Sequence, residues 1–167
     1  MKQPLYKSAM LASLWLLAAA MPAYAESPID PVLQAKEAPA GVVFEIATGK
    51  NDSLNWALPL VKDYIARIRQ RFPDMHIAVV THGREMFALQ KNNNDKSAAP
   101  VRQLTKQLVQ DGISLHVCGT YAARKGLSEE DFPDYVNVAA AGPAQINDYI
   151  AVGYMRVKIK KPAQPEK

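Results

Sequence analysis

Residues 112–126 read GISLHVCGTYAARKG and contain Cys118, the only cysteine of the 167-residue chain. The run from Ile113 to Cys118 is apolar and rich in β-branched residues, which predicts a buried strand. Gly119 and Thr120 follow this run and lead into a short helical segment. Cys118 is therefore expected at the carboxyl end of a strand, directly before a helix.

Strand-like runs recur on both sides of this stretch, and helical patterns separate them. The other predicted strands cover residues 42–47, 75–81, 135–140 and 155–159. The longest helical pattern has one apolar stripe at spacings of three and four, formed by Leu54, Leu58, Val61, Ile65, Ile68 and Phe72. Pro59 lies within this pattern, so we expect the helix to begin late or to kink there. The alternation predicts a three-layer α/β/α domain with a mainly parallel five-stranded sheet.

The composition of the two chain ends differs from that of this domain. Residues 1–25 are predicted to be a secretory signal peptide, because two lysines, an apolar run and an A-x-A cleavage site succeed one another there. The apolar run is shorter than the roughly twenty residues of a membrane span, which disfavours the alternative of a retained anchor. We therefore expect a periplasmic protein without membrane association after cleavage. Residues 26–40 contain three prolines and are predicted to be a flexible linker, 41–160 form the domain, and 161–167 are expected to be a disordered tail.

The charge and the cysteine content of the chain limit which classes of function it can have. The full chain has 20 basic and 16 acidic residues, and removal of Lys2 and Lys7 with the leader reduces the basic excess to two. No basic face with interleaved aromatic residues is visible, so no nucleic-acid partner is expected. A single cysteine cannot form an internal disulfide, so stability must come from core packing. In an exported protein such a cysteine is a reactive thiol, an intermolecular bridge or a buried inert side chain.

Three predicted strands end in residues that favour a binding site. Ligands of parallel sheets gather beyond the carboxyl ends of the strands, and His82-Gly83, Cys118-Gly119 and Gly142 all lie at such ends. A helix N-terminus after Cys118 favours the thiolate, which is the nucleophilic form of cysteine.

Two nearby residues are candidates to interact with the thiol of Cys118. Thr120 is a candidate to cap the helix or to donate a hydrogen bond to the sulfur. The competing interpretation of Cys118 is a small buried hydrophobe. His82 is a candidate general base or hydrogen-bond donor for a thiolate, or alternatively a residue that satisfies its own loop.

The remaining histidines indicate no firm metal site. His116 lies two residues before Cys118, so the two side chains are expected on the same face of the strand. Imidazole and thiolate suit zinc or copper, but no Cys-x-x-Cys or His-x-x-x-His spacing supports this pair. His76 is expected to be structural. Phosphate-loop, dinucleotide-binding, thioredoxin-type and Gly-x-Ser-x-Gly patterns are absent from the sequence, and no cofactor is expected.

The stretch GISLHVCGTYAARKGLSEEDFPDYVNVAAAGPAQINDYIAVGYMRVKI, residues 112–159, resembles the DsrE/DsrF-like family of sulfur-relay proteins. The shared features are a strand ending in Val-Cys, a valine-rich strand leading to Ala-Gly, and a helix ending in Gly153-Tyr154. Upstream, His82-Gly83 after the second strand and Asn55 at the start of the first helix fit the same pattern. The resemblance covers about residues 41–159.

This resemblance implies an α/β/α domain that often assembles into homo-trimers or hexamers. It also implies that Cys118 carries sulfur as a persulfide, and that the partner is a sulfur-donor or acceptor protein or a small sulfane-sulfur compound. We therefore expect a periplasmic sulfur carrier or sulfurtransferase-type protein in which Cys118 is the nucleophile and His82 assists proton transfer, with Gly83, Gly119, Thr120 and Gly142 forming the sulfur pocket. The alternative is a non-catalytic oligomeric module that binds a ligand or a partner, and enzymatic turnover is left open.

Overall fold

A computed structural model describes residues 27–162. The elements follow in the order α1 (Asp30–Leu33), β1 (Gly41–Ile46), α2 (Leu54–Arg71), β2 (Ile77–Thr81), α3 (Ala98–Gln110), β3 (Ser114–Cys118), α4 (Gly119–Ala123), β4 (Asn137–Ala139), α5 (Gly142–Ala151) and β5 (Tyr154–Lys158), with short 3-10 helices at Arg84–Leu89 and Glu129–Asp131. The predicted signal peptide and the last five residues of the predicted tail lie outside the described residues. Within the described residues, no helix is long and apolar enough to cross a membrane.

The five strands form one sheet in the order β4-β3-β2-β1-β5, and every pairing is parallel. The predicted α/β architecture is confirmed. The chain moves from β1 to β4 in one direction across the sheet and then crosses back to place β5 beside β1. Because such crossovers are right-handed, this reversal puts α5 on the opposite face from α2 and α3.

Residues of each strand alternate between the two faces of the sheet. Phe44 of β1, Val79 of β2, Leu115 of β3 and Val157 of β5 pack into the main apolar core with α2 and α3. The opposite residues Val43, Ala78 and Val80 pack in a small second cluster with Ile146 of α5. We call these two sides of the sheet the α2/α3 face and the α5 face.

The predicted apolar stripe of α2 is confirmed for Leu54, Leu58, Val61, Ile65 and Ile68, which are all buried. Phe72, its last predicted member, lies just after the helix as the partly buried C-cap residue. The helix begins at Leu54, so the expectation of a late start at Pro59 is wrong. Pro59 lies in the second turn, where its missing N–H removes a single hydrogen bond. Burial of Leu58 and Val61 on either side of Pro59 holds this part of the chain in the helix.

The segment before β1 differs from the flexible linker expected over residues 26–40. Residues Asp30–Leu33 form one helical turn with Pro31 near its start. Ile29 and Val32 are fully buried in the main core. Two apolar side chains three residues apart share one side of a helical turn, and their burial against the domain orders this short segment.

Candidate functional site

The connections that follow β3 and β4 leave the sheet on opposite faces, and after β4 the path of the chain across the sheet reverses. After β3 the chain enters α4, whose Ala122 is buried in the core of the α2/α3 face. After β4 it enters α5 on the other face. Neighbouring strands whose following helices diverge to opposite faces leave a crevice between them, and ligands of open parallel sheets bind in such crevices.

An open pocket of about 500 Å³ lies at this edge of the sheet. Cys118 contributes to its wall with 6% of its surface exposed. The lining comes from the loops that follow β1, β2, β3 and β4, and consists of Thr48, Gly49, His82, Gly83, Arg84, Cys118, Thr120, Tyr121, Arg124, Ala141 and Pro143. The fold thus brings the predicted residues His82, Gly83, Cys118 and Thr120 to one pocket.

Two predicted glycines allow the backbone to approach closely around the cysteine. A Cβ atom on Gly142 would lie 2.5 Å from the Cβ of His82 and 3.4 Å from the Cβ of Cys118. His82 and Cys118 are therefore neighbours that both contact the start of α5. A Cβ atom on Gly119 would lie 2.9 Å from the carbonyl oxygen of Ala139, so Gly119 lets the start of α4 pack against β4.

His82 is held by a carboxylate on the adjacent strand. Its Nε2 atom lies 3.0 Å from Oε1 of Glu45, which is 92% buried on the α5 face. The other carboxylate oxygen of Glu45 accepts a hydrogen bond of 2.6 Å from Nε of Arg156 on β5. Burial alone would raise the pKa of Glu45, but the hydrogen bonds from His82 and Arg156 and their charges outweigh it and lower the pKa below 4.5.

This arrangement sets the tautomer of the neutral His82 ring. An ionised carboxylate can only accept hydrogen bonds, so Nε2 of His82 must carry the hydrogen that is donated to Glu45. Nδ1 is then the basic nitrogen of the neutral ring. Glu45 thereby orients the His82 ring, as a carboxylate does for a general base.

A second buried carboxylate fixes the loops beside the pocket. Glu85 is completely buried and accepts hydrogen bonds from the hydroxyl of Thr81 at 2.7 Å, the N–H of Gly83 at 2.8 Å, and the N–H and hydroxyl of Thr48, both at 2.8 Å. It ties the loop after β1 to the loop after β2. Glu85 therefore holds the backbone on which His82 and Gly83 lie.

Thr120 does not have the role predicted for it. Its hydroxyl donates to the carbonyl of Ala140 at 2.7 Å, and its N–H donates to the same oxygen at 3.0 Å. Cys118 itself occupies the N-cap position of α4, without a side-chain cap hydrogen bond. The expectation that Thr120 caps the helix or donates to the sulfur is wrong, because the close approach of β4 offers its hydroxyl a stronger oxygen acceptor. Thr120 instead joins the ends of β3 and β4.

The other two histidines lie away from the pocket lining. His116 is on the α5 face, and its Nε2 lies 2.8 Å from the hydroxyl of Tyr149. Burial lowers the pKa of His116. His76 is exposed before the start of β2, at the opposite edge of the sheet. Among residues 27–162, no group of three or more His, Cys, Asp or Glu side chains is arranged to hold a metal ion.

The sequence did not single out Glu45, Glu85, Arg84 or Arg124. Glu45 carried a signal, since it is an acidic residue in an otherwise apolar strand whose two faces were both expected to be covered. Glu85 and Arg84 lie in a short helical segment with no diagnostic spacing. Arg124 follows α4, and only the fold directs it towards the same pocket as Arg84.

The fold and the site define a doubly wound α/β protein with a thiol pocket at the topological switch point. The model of the DsrE/DsrF-like family matches residues 41–158. The chain belongs to the DsrE/DsrF-like family, and the predicted recognition is confirmed.

Solved structures share this fold at low sequence identity. A protein of unknown function from Methanobacterium thermoautotrophicum, MTH1491, has 19% identity and a TM-score of 0.55, with 71% of this chain and 97% of that chain covered. The ychN protein from E. coli has 13% identity and a TM-score of 0.54, with 71% and 98% covered. No curated protein matches the sequence. These similarities show the fold, and the function is therefore argued from the chemistry of the pocket.

Proposed function

We propose that this protein is a periplasmic sulfur carrier that accepts sulfane sulfur on Cys118 as a persulfide and passes it to an acceptor thiol. The observation that supports this most is the position of the single cysteine, which borders the switch-point pocket as a neighbour of His82. Family membership supports a sulfur-relay type of chemistry. The residues of the pocket give this chemistry a thiol, a base and an entry path.

The proposed reaction has two displacement steps. His82 accepts the proton of Cys118, and the thiolate attacks the outer sulfur of a sulfane donor. The new S–S bond forms as the S–S bond of the donor breaks, and the leaving group departs with the bonding electron pair. An acceptor thiolate then attacks the outer sulfur of the persulfide, and Cys118 leaves as the thiolate. No external oxidant or reductant is needed, because sulfane sulfur is transferred without a net change in the protein.

The test is intact-protein mass spectrometry of the mature protein after exposure to polysulfide or thiosulfate. We expect the gain of one sulfur atom, reversed by a thiol reductant and absent from Cys118→Ser. His82→Asn should slow the gain, whereas His76→Asn is a matched control because His76 lies at the opposite edge of the sheet. A folded protein that gains no sulfur from either donor would falsify the carrier proposal.

Export is a separate part of the proposal and has its own test. The composition of residues 1–25 supports a cleaved leader. We expect the protein recovered from the periplasmic fraction of an expressing cell to have the mass of a chain that begins at Glu26. Recovery of the full-length chain from the cytoplasm would contradict this part without affecting the chemistry of Cys118.

A non-catalytic oligomeric binding module is the second candidate. Two large apolar side chains near the end of α5 favour it, since Ile150 is 41% exposed and Val152 is 64% exposed. Exposed apolar patches mark contacts between subunits, so the end of α5 is where such a contact is expected. The candidate predicts a homo-trimer or hexamer by light scattering that Val152→Asp disrupts and Cys118→Ala leaves intact. A wild-type monomer would remove this support.

A further inference from the structure

The pocket beside Cys118 is lined by two arginines and, within the described part of the chain, by no acidic side chain. Arg84 and Arg124 contribute to its wall together with His82. In the described part of the chain, neither arginine forms an ion pair. Among residues 27–162 the one side-chain partner of Arg84 is neutral, since its Nε donates to Oδ1 of Asn51 at 3.3 Å. Both arginines are exposed residues, so their charges are available to a ligand in the pocket.

A second source of positive potential comes from a different element. The ten-residue helix α5 begins at this pocket, and its N-cap residue Ala141 and Pro143 of its first turn form part of the lining. The N-terminus of a helix has free N–H groups and the positive end of the helix dipole, and in α5 Pro143 contributes to the dipole end but offers no N–H. No side chain caps this end. The arginines and the helix therefore favour negative charge at the same place, in a pocket that already contains a nucleophile.

We propose that the pocket selects small anionic sulfane-sulfur donors of the thiosulfate type over neutral ones. This inference rests on the carrier function proposed above and names its substrate class. The outer sulfur of the donor lies towards Cys118, and its oxyanion lies towards Arg124 and Arg84. The pocket volume of about 500 Å³ accommodates a molecule of this size together with water.

The chemistry explains why such charges are needed. Attack of a thiolate on the outer sulfur of thiosulfate brings together a monoanion and a dianion, which repel one another. The S–S bond of thiosulfate breaks, and sulfite leaves with the bonding electron pair and two negative charges. Two arginines and a helix N-terminus offset the repulsion during approach and stabilise the departing charge. A neutral donor gains less from these groups, because it meets no such repulsion on approach and its leaving group carries one negative charge instead of two.

Alkylation of the single cysteine measures this charge selection independently of sulfur transfer. Iodoacetate and iodoacetamide react with the same thiolate and differ chiefly in charge. We expect the ratio of their rate constants, iodoacetate over iodoacetamide, to be higher in the native protein than in the same protein unfolded in urea. Arg124→Gln and Arg84→Gln should each lower the native ratio roughly three- to tenfold, because one nearby charge is removed.

Lys125→Gln is the matched control. Lys125 is the exposed neighbour of Arg124 but does not line this pocket, and its replacement changes the net charge by the same amount. We expect it to leave the ratio nearly unchanged. Equal ratios in the native and unfolded protein, or an equal decrease in Arg124→Gln and Lys125→Gln, would overturn the inference.

Direct binding of thiosulfate is the second measurement. It tests the inference even if neither iodoacetate nor iodoacetamide reaches the thiol. Calorimetric titration of Cys118→Ser with thiosulfate should give saturable binding that Arg124→Gln weakens and Lys125→Gln does not. Absence of binding at millimolar thiosulfate would overturn the inference. Both tests are distinct from the mass measurement of the carrier function, since charge selection without persulfide formation would reject the carrier proposal alone.

Discussion

The two faces of the sheet differ in what their side chains do. On the α2/α3 face, β1 and β2 contribute residues such as Phe44, Ile46 and Val79 to one continuous apolar core. On the α5 face the buried apolar cluster has four residues. The rest of that face includes the polar side chains of Glu45, His82, Ser114, His116 and Arg156.

This difference follows from the helices that cover the sheet. Two long helices exclude water from the α2/α3 face, so polar residues there would lose their hydration. One ten-residue helix covers the α5 face, and the space beside it admits polar residues that bind one another and contact solvent. We infer that one face provides most of the stability, while the other orients His82 for chemistry at Cys118. Four predictions test this division, in decreasing order of expected effect.

The largest effect is expected from Phe44→Ala on the α2/α3 face. Phe44 is fully buried and stacks on Tyr64 with ring centroids 6.3 Å apart. The substitution should lower the free energy of unfolding by about 3–5 kcal/mol, as measured by urea denaturation. The neighbouring Glu45→Gln, on the other face, serves as the comparison and should cost clearly less. An equal loss in both variants would contradict the division between faces.

Gly142→Ala should impair the site while the core is retained. The added methyl group would lie 2.5 Å from the Cβ of His82, so the start of α5 or the histidine must move. We expect persulfide formation on Cys118 to slow roughly tenfold or more, because reacting groups displaced by about an ångström lose much of their advantage. Gly49→Ala adds the same methyl group at the pocket rim, where it meets nothing within 4 Å. Equal rates in the two variants would count against the proposed contact.

Glu45→Gln should reduce the reactivity of Cys118 by a smaller factor. The amide keeps the size of the side chain but removes the negative charge that lies 3.0 Å from Nε2 of His82 and orients its ring. We expect the rate of persulfide formation to fall roughly three- to tenfold, with an altered pH profile. Arg156→Gln should change the pH profile in the same direction as Glu45→Gln but less strongly, because Arg156 acts through Glu45. An unchanged profile in both variants would leave Glu45 with a structural role only.

The smallest effect is a two-stage loss of stability in acid. The pKa of His116 is lowered in the folded protein, so the unfolded chain takes up this proton first and stability falls as the pH drops below about 6.5. The lowered pKa of Glu45 gives stability that is complete above pH 4.5 and is lost as the pH falls through the folded pKa.

Melting temperatures recorded across this pH range separate the two groups. His116→Gln should flatten the first decrease and Glu45→Gln the second, each by a few degrees. A first decrease that persists unchanged in His116→Gln would assign it to another group.

The order of strands and helices was predictable because it depends on local patterns. Apolar runs such as Ile113–Cys118 gave the strands, and the stripe from Leu54 to Ile68 gave the longest helix. The proximity of His82 and Cys118 was also predictable, because the carboxyl ends of parallel strands lie at one edge of the sheet. A rule that needs only strand direction can be applied without knowing the contacts.

Other features depended on contacts between distant parts of the chain. The burial of Ile29 and Val32 requires the domain that covers them, and the bond of Thr120 to Ala140 requires β4 beside β3. The pairing of Glu45 with Arg156 joins residues that lie more than a hundred positions apart. No local pattern specifies partners at such a distance, since many strand orders satisfy the same pattern.

The sequence by itself determined the class of fold, the edge of the sheet at which chemistry is expected, and the residue on which that expectation depends, Cys118. Periodicity and strand polarity are properties of the chain, so they can be read from one end to the other. The tertiary structure alone decided which charges surround the thiol. Arg84 and Arg124 line one pocket because the segments that follow β2 and β3 meet at one edge of the sheet. Glu45 orients His82 because β1 pairs with β2.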